Sequence, residues 1–221
     1  MKVIFQLFLV LIPYSLRRVL LIKIYKYELD KDSHIGLSYI YPKELVLEKG
    51  AKIGHFNMAI HLHKIHLQTN SKIGRKNWIT GFPINNKKHF SHETNRNPAL
   101  ILGRESAITK NHHFDCTDQI KIGNYSIVGG YASQFITHGI DIIENQQNSK
   151  AIEIGDYTYI GTNVVVLGGS KLPSYSVLGA KSLLNKHFQE SYNLYAGNPA
   201  TKIKSLPVDA KYFKREKGFV H

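Results

Sequence analysis

Between Ile154 and Leu184 an aliphatic residue returns at every sixth position: Ile154, Ile160, Val166, Leu172, Leu178 and Leu184. Four positions after the first five stand Thr158, Val164, Ser170, Ser176 and Ser182, all small or β-branched. A six-residue period fits neither the amphipathic helix nor the plain alternation of a hairpin array. Short extended pieces separated by corners produce it, with the aliphatic side chain always turned inward. The beat runs upstream through Ile35, Tyr41, Leu47, Ile53, Ala59 and Ile65, resumes at Leu67, Ile73 and Ile79, and continues in Leu102, Ile108, Phe114, Cys116, Ile122 and Val128. Glycine often follows the aliphatic residue, as in Ile53-Gly54, Ile73-Gly74 and Ile160-Gly161, where a corner is expected to need it. The pattern predicts an all-β repeat domain over residues 33–186, each coil stable only against its neighbours.

Two stretches break the beat. Residues 81–99 are polar and basic, and residues 139–151 displace the register; loops of that length leave a repeat array sideways and tend to carry function. The N-terminal segment, 1–32, holds the apolar run Val3 to Ile12 followed by Pro13, Arg17, Arg18 and Lys23. That run is too short to span a bilayer and has no small-residue cleavage site after it. It is expected to be a helix packed on the domain or on a neighbouring subunit, with interfacial contact to the inner membrane through the basic residues as the alternative. Either reading leaves the protein on the cytoplasmic side. Residues 187–221 read as a basic C-terminal tail.

Composition narrows the partners. The chain has 221 residues, 43% of them hydrophobic, enough for one substantial core. Its single cysteine, Cys116, rules out an intrachain disulfide and sits in the inward register, which predicts a buried thiol in a reducing compartment. A formal charge of +13 and a pI near 9.7 call for something anionic. The spacings of nucleic-acid-binding motifs are missing, which sets nucleic acid aside and leaves a phosphate-bearing cofactor, a sugar nucleotide or a membrane surface.

The segment IGDYTYIGTNVVVLGGSKLPSYSVLGAKSLL, the closing AGNPATKIK at Ala196 to Lys204 and FITHGI at Phe135 to Ile140 resemble the hexapeptide-repeat acyltransferases, and within them the galactoside and maltose O-acetyltransferases and enzymes that decorate surface polysaccharides. The resemblance covers about three quarters of the chain. It implies a left-handed parallel β-helix, a homotrimer, and acetyl-CoA held between adjacent prisms as donor, with no metal. It also implies transfer of the acetyl group to a sugar hydroxyl in a bacterial surface polysaccharide or its precursor. N-acetylation of a nucleotide-linked amino sugar and a non-catalytic β-helix scaffold are the alternatives.

By the same resemblance, His138, at a coil end ahead of an excursion, is the expected general base, since a neutral imidazole removes a hydroxyl proton without a metal or an acyl-enzyme. His113 and Asp115 precede it by about one coil and are candidates to position the acceptor or orient the base, with Asn111 a weaker one. Thr162, Ala180, Lys186 and Lys204 match donor-binding positions, the lysines suiting the phosphates. Thr201 departs from the basic residue that usually follows the GNPA motif, and Tyr159 stands where tryptophan is common. A zinc enzyme built on the same type of coil is the remaining rival, raised by twelve histidines that include His61, His63 and His66. The basic loop from Lys87 to Arg96, with His89 and His92, is expected to be solvated or to reach a neighbour's cleft.

Overall fold

A computed structural model describes residues 2–86 and 88–220; Lys87, the first residue of the basic loop named above, lies outside them. Three sheets wind around one core. Successive strands step from the first sheet to the second to the third and back, so that each sheet is made of strands from successive coils. The first runs from Glu28–Leu29 to Lys171–Leu172 and the third from Tyr39–Ile40 to Leu183–Leu184, seven strands each. The second has nine, from His34–Ile35 to Ala200–Ser205, and only its last pair is antiparallel. The chain is therefore a parallel β-coil with three faces.

The six-residue beat is the inward position of these faces. On the second face Ile35, Ile53, Ile73, Ile108, Val128 and Ile160 stack in register. On the first, Leu67, Leu102, Ile122, Ile154 and Leu172 do the same. All are buried, and each such side chain contributes roughly 1.5–3 kcal/mol on removal from water. One expected member departs: Ile40, not Tyr41, is buried and pairs with Ala59, because the corner after Ile35 is one residue shorter than the one after Ile53. Cys116 is fully buried, and its burial pushes the thiol pKa up.

The glycines serve a purpose other than the expected one. Those that follow the aliphatic residues have ordinary backbone angles, but a Cβ on Gly54 would overlap the carbonyl of Gly74, and one on Gly74 that of Thr109. They let successive coils approach. Left-handed corner positions are held mostly by other residues, among them Asn70, Asn111 and Asn163 and, at one corner, Tyr125, Tyr157, Tyr175 and Tyr192. These four tyrosines form a ladder with ring centroids 4.6, 5.3 and 4.9 Å apart and planes within 13° of parallel. Stacking of this kind is worth about 0.5–1.5 kcal/mol per pair, comparable to the cost of holding a non-glycine residue left-handed. The C-terminal segment turns back along the ladder: Phe213 meets Tyr175 and Tyr192 edge-on, Arg215 donates to the Tyr125 carbonyl, and the Gly218 amide reaches Glu105 Oε2 at 2.8 Å.

The first coil is closed by α1 (Lys2–Leu11) and α2 (Tyr14–Tyr25). Arg17 of α2 is buried and gives its guanidinium to the carbonyls of Ile35 and Gly36, at the open end of the coil, and to that of Val10 in the last turn of α1. Leu21 completes the core at this end. At the other end Phe188 stacks on Tyr195 at 4.0 Å.

Gly74→Ala is expected to destabilise the chain by about 2–4 kcal/mol, because the new methyl meets backbone and not a movable side chain. A thermal melt should record a fall in Tm of roughly 5–10 °C.

Candidate active site

Three strands of the third face, Trp78–Thr80, His113–Asp115 and Gln134–Ile136, lie in register, with Thr80, Asp115 and Ile136 abreast at the edge. Both interruptions leave the coil at this edge. One, residues 81–98, has no regular strand; the other is an antiparallel hairpin of His138–Asp141 with Gln146–Ser149. His138 is its first residue, one coil below Asp115.

Asp115 is 4% exposed and fully engaged. Its Oδ1 accepts the Thr117 amide at 3.1 Å and the Thr117 hydroxyl at 2.6 Å, and its Oδ2 bonds His138 Nδ1. Burial works against ionisation of Asp115, but the hydrogen bonds from His138 and Thr117 outweigh it and hold the carboxyl below its usual range. An ionised carboxylate only accepts, so His138 Nδ1 donates, and its Nε2 is left as the acceptor in the neutral ring. That same bond raises the pKa of His138 above the ordinary histidine value, against an opposing effect of burial.

The pair opens on a cavity of about 450 Å³, lined also by His61, Thr80, Phe82, Asn86 and His113. Phe82 stands edge-on to His138 with centroids 5.7 Å apart and packs on Phe90. Arg96, buried, ties this loop down by donating to the carbonyls of Phe82, Pro83 and Thr117 at 2.8–2.9 Å. The loop is also fastened to the hairpin of its own chain. Glu93 accepts from the Ser149 amide at 2.7 Å and its hydroxyl at 2.6 Å, and His92 Nε2 lies 2.8 Å from the Gln147 carbonyl. Its described part is thus a wall of this chain's own cleft.

The remaining candidates do not gather in one place. His113 lines the cleft beside His138, and the exposed Trp78 pairs with it across the coil. Asn111 lies at the far edge of the same face, exposed and left-handed, with its amide on the Arg75 carbonyl at 3.1 Å. Thr162 and Ala180 occupy that far edge too. Thr162 Oγ1 accepts the Tyr131 amide and donates to the Tyr131 carbonyl, both at 3.1 Å, and a Cβ on Gly161 would come within 2.7 Å of the Ala180 nitrogen. The strand Gln134–Ile136 runs between the two edges, after the left-handed Ala132 and before His138. Lys186 is exposed at the corner that His138 occupies, two coils further on, and Lys204 is exposed on the last strand.

Among the other histidines, His112 is a structural group. It is buried, its Nδ1 accepts the Ser133 amide at 3.1 Å, and burial pushes it down to about 4. His63 and His66 pair with Glu44 and Glu48 at 3.0 and 2.9 Å. Among the described residues no three or more His, Cys, Asp and Glu side chains are grouped to hold a metal ion.

No protein-family model matches the chain. It is 26% identical over 155 residues to a chloramphenicol acetyltransferase of Klebsiella aerogenes, covering 63% of this chain and 70% of that one. Among solved structures it is similar to an N-acyltransferase of Bacillus cereus in complex with dTDP and coenzyme A, with a TM-score of 0.52 at 12% identity over 79% of this chain and 83% of that one. That likeness concerns the fold. A hexapeptide-repeat acetyltransferase of Vibrio cholerae complexed with acetyl coenzyme A aligns at 27% identity and a TM-score of 0.46, over 49% of this chain and 61% of its own length.

The His138–Asp115 pair has a direct signature. In an NMR titration the His138 ring is expected to titrate above about 6.5, the ordinary histidine value, and in Asp115→Asn its midpoint should fall, because the ionised partner that favours imidazolium is gone.

Proposed function

We propose that this chain is an acetyl-CoA-dependent O-acetyltransferase of the hexapeptide-repeat type, coiled in the left-handed sense, acting on a hydroxyl of a bacterial surface polysaccharide or its precursor. The observation that carries the reading is His138, held through Nδ1 by the buried Asp115 at the mouth of the cleft. The likeness to the chloramphenicol acetyltransferase supports the reaction class.

A hydroxyl attacks a thioester slowly because its proton must leave as the bond forms. His138 Nε2 accepts that proton while the hydroxyl oxygen attacks the acetyl carbonyl carbon. The tetrahedral intermediate collapses, the carbon–sulfur bond breaks, and the imidazolium returns the proton to the departing thiolate. Asp115 fixes the ring orientation and the Nδ1–H tautomer throughout. His113 and Trp78 border the acceptor side; Phe82 and Pro83 exclude water from it.

Thr162 and Ala180 are assigned to the donor, with Lys186 and Lys204 near its phosphates. Because this strip and His138 lie at opposite edges of one face, the donor on one copy meets the base of another, which gives the homotrimer a mechanistic reason. Such a chain works where acetyl-CoA and glycan precursors are present together, the cytoplasmic side of the membrane.

His138→Ala is expected to lower kcat by roughly 10² to 10⁴ with acetyl-CoA affinity retained; unchanged turnover would remove the base from the mechanism. The base must be neutral, so kcat/KM should rise with pH through the elevated His138 pKa. The acid limb therefore lies above about 6.5 in the wild type and moves to lower pH in Asp115→Asn, as a pH–rate profile of both proteins will record.

A further inference from the structure

Helix α1 turns its apolar side away from the fold. Gln6 and Leu9 face the protein, whereas Val3, Ile4, Leu7, Phe8 and Leu11 are exposed, Ile4 at 73% and Leu11 at 76%. At 3.6 residues per turn these five positions make one continuous outer face, and the helix carries no acidic side chain. A face of that kind is not left in water at rest.

The patch continues past the helix. Leu16 and Val19 of α2 are exposed. The Arg17 guanidinium, by holding the carbonyls of Val10 and Gly36 together, brings the end of α1 beside the corner that carries Leu37. The Phe56 amide bonds the Leu37 carbonyl at 2.6 Å and sets the exposed Phe56 ring one coil on; Lys76 occupies the same corner one coil further. Exposed Lys23 and Lys26 stand at the end of α2. Apolar side chains are thus bordered by cations at this end of the coil.

We propose that this end docks on the surface of an anionic lipid bilayer, with α1 lying in the interface, Ile4, Phe8 and Leu11 among the acyl chains, and Lys23, Lys26 and Lys76 at the headgroups. The helix is about 15 Å long, half the thickness of a hydrocarbon core, so it lies on the membrane and does not cross it. No described helix is long and apolar enough to cross. Charge selects lipid over a second copy as the occupant. A second copy seated face to face here would set Lys23, Lys26 and Lys76 against their own counterparts, whereas anionic headgroups neutralise them. The inference is independent of the acetyl-transfer reading.

The test is co-sedimentation of the full chain with vesicles of phosphatidylcholine containing about a quarter phosphatidylglycerol, beside vesicles of phosphatidylcholine alone. The wild type is expected to pellet with the first and at least tenfold less with the second. Phe8→Asp with Leu11→Asp should lower the bound fraction by roughly tenfold or more, and Lys23→Ala with Lys26→Ala by about tenfold on the anionic vesicles only. All four side chains are exposed, so the variants should melt with the wild type, and loss of binding then reports the surface and not the fold. Wild-type protein that stays in the supernatant overturns the proposal, as does undiminished pelleting of the aspartate variant. So does a wild type that ignores vesicles while the aspartate variant alone loses its oligomeric mass in light scattering, which would assign the face to a contact between copies.

Discussion

Everything in this molecule depends on coils stacked at β-sheet spacing without slip. Each strand draws its partners from the coil before and the coil after, and the inward aliphatic columns keep register because a one-residue shift would turn every core side chain outward. Glycine at positions such as Gly54 and Gly74 removes the atoms that would hold the coils apart. The site inherits this order. Asp115 and Ile136 are register partners, so the residue two places past Ile136 comes under the Asp115 carboxylate, and that residue is His138.

Departures from the stack are fastened by the same kind of group. Arg17 closes the first coil, Arg96 ties the loop that walls the cleft, and Arg215 holds the returning tail on the tyrosine ladder, each by donating to backbone carbonyls that no sheet uses. A guanidinium suits this work because its fixed fork presents several donors at once and stays charged on burial. The basic excess of the chain is therefore only partly an external surface. Some of it is internal structure, and the cations left outside, such as those near α1, Lys186 and Lys204, are the ones available to anions.

Much of the fold could be read from the sequence, because Ile, Leu and Val at a fixed interval report a single inward position. The error at Tyr41 arose where one corner is a residue short, which no interval can foresee. The tyrosine ladder has a signature in the sequence: Tyr125, Tyr157, Tyr175 and Tyr192 each stand three residues before an inward side chain and are followed by Ser, Thr or Asn. Arg96 and Phe82 were not legible, since their partners lie on other coils or on a loop without a repeat. His138 was marked by the family resemblance of FITHGI together with the excursion after it, and Asp115 by its coil offset from His138. Between the neighbours His112 and His113, alternation fixes which turns inward, but not that His112 would satisfy the Ser133 amide.

The account joins an acid–base pair at one edge of a coil face to a strip of small residues at the other, and assigns the strip to acetyl-CoA. Isothermal titration of the purified chain with acetyl-CoA tests that assignment before any acceptor is known. The account predicts saturable binding with a Kd on the order of micromolar, about −8 kcal/mol. Absence of detectable binding would contradict it and leave the coil without the donor on which the proposed reaction depends.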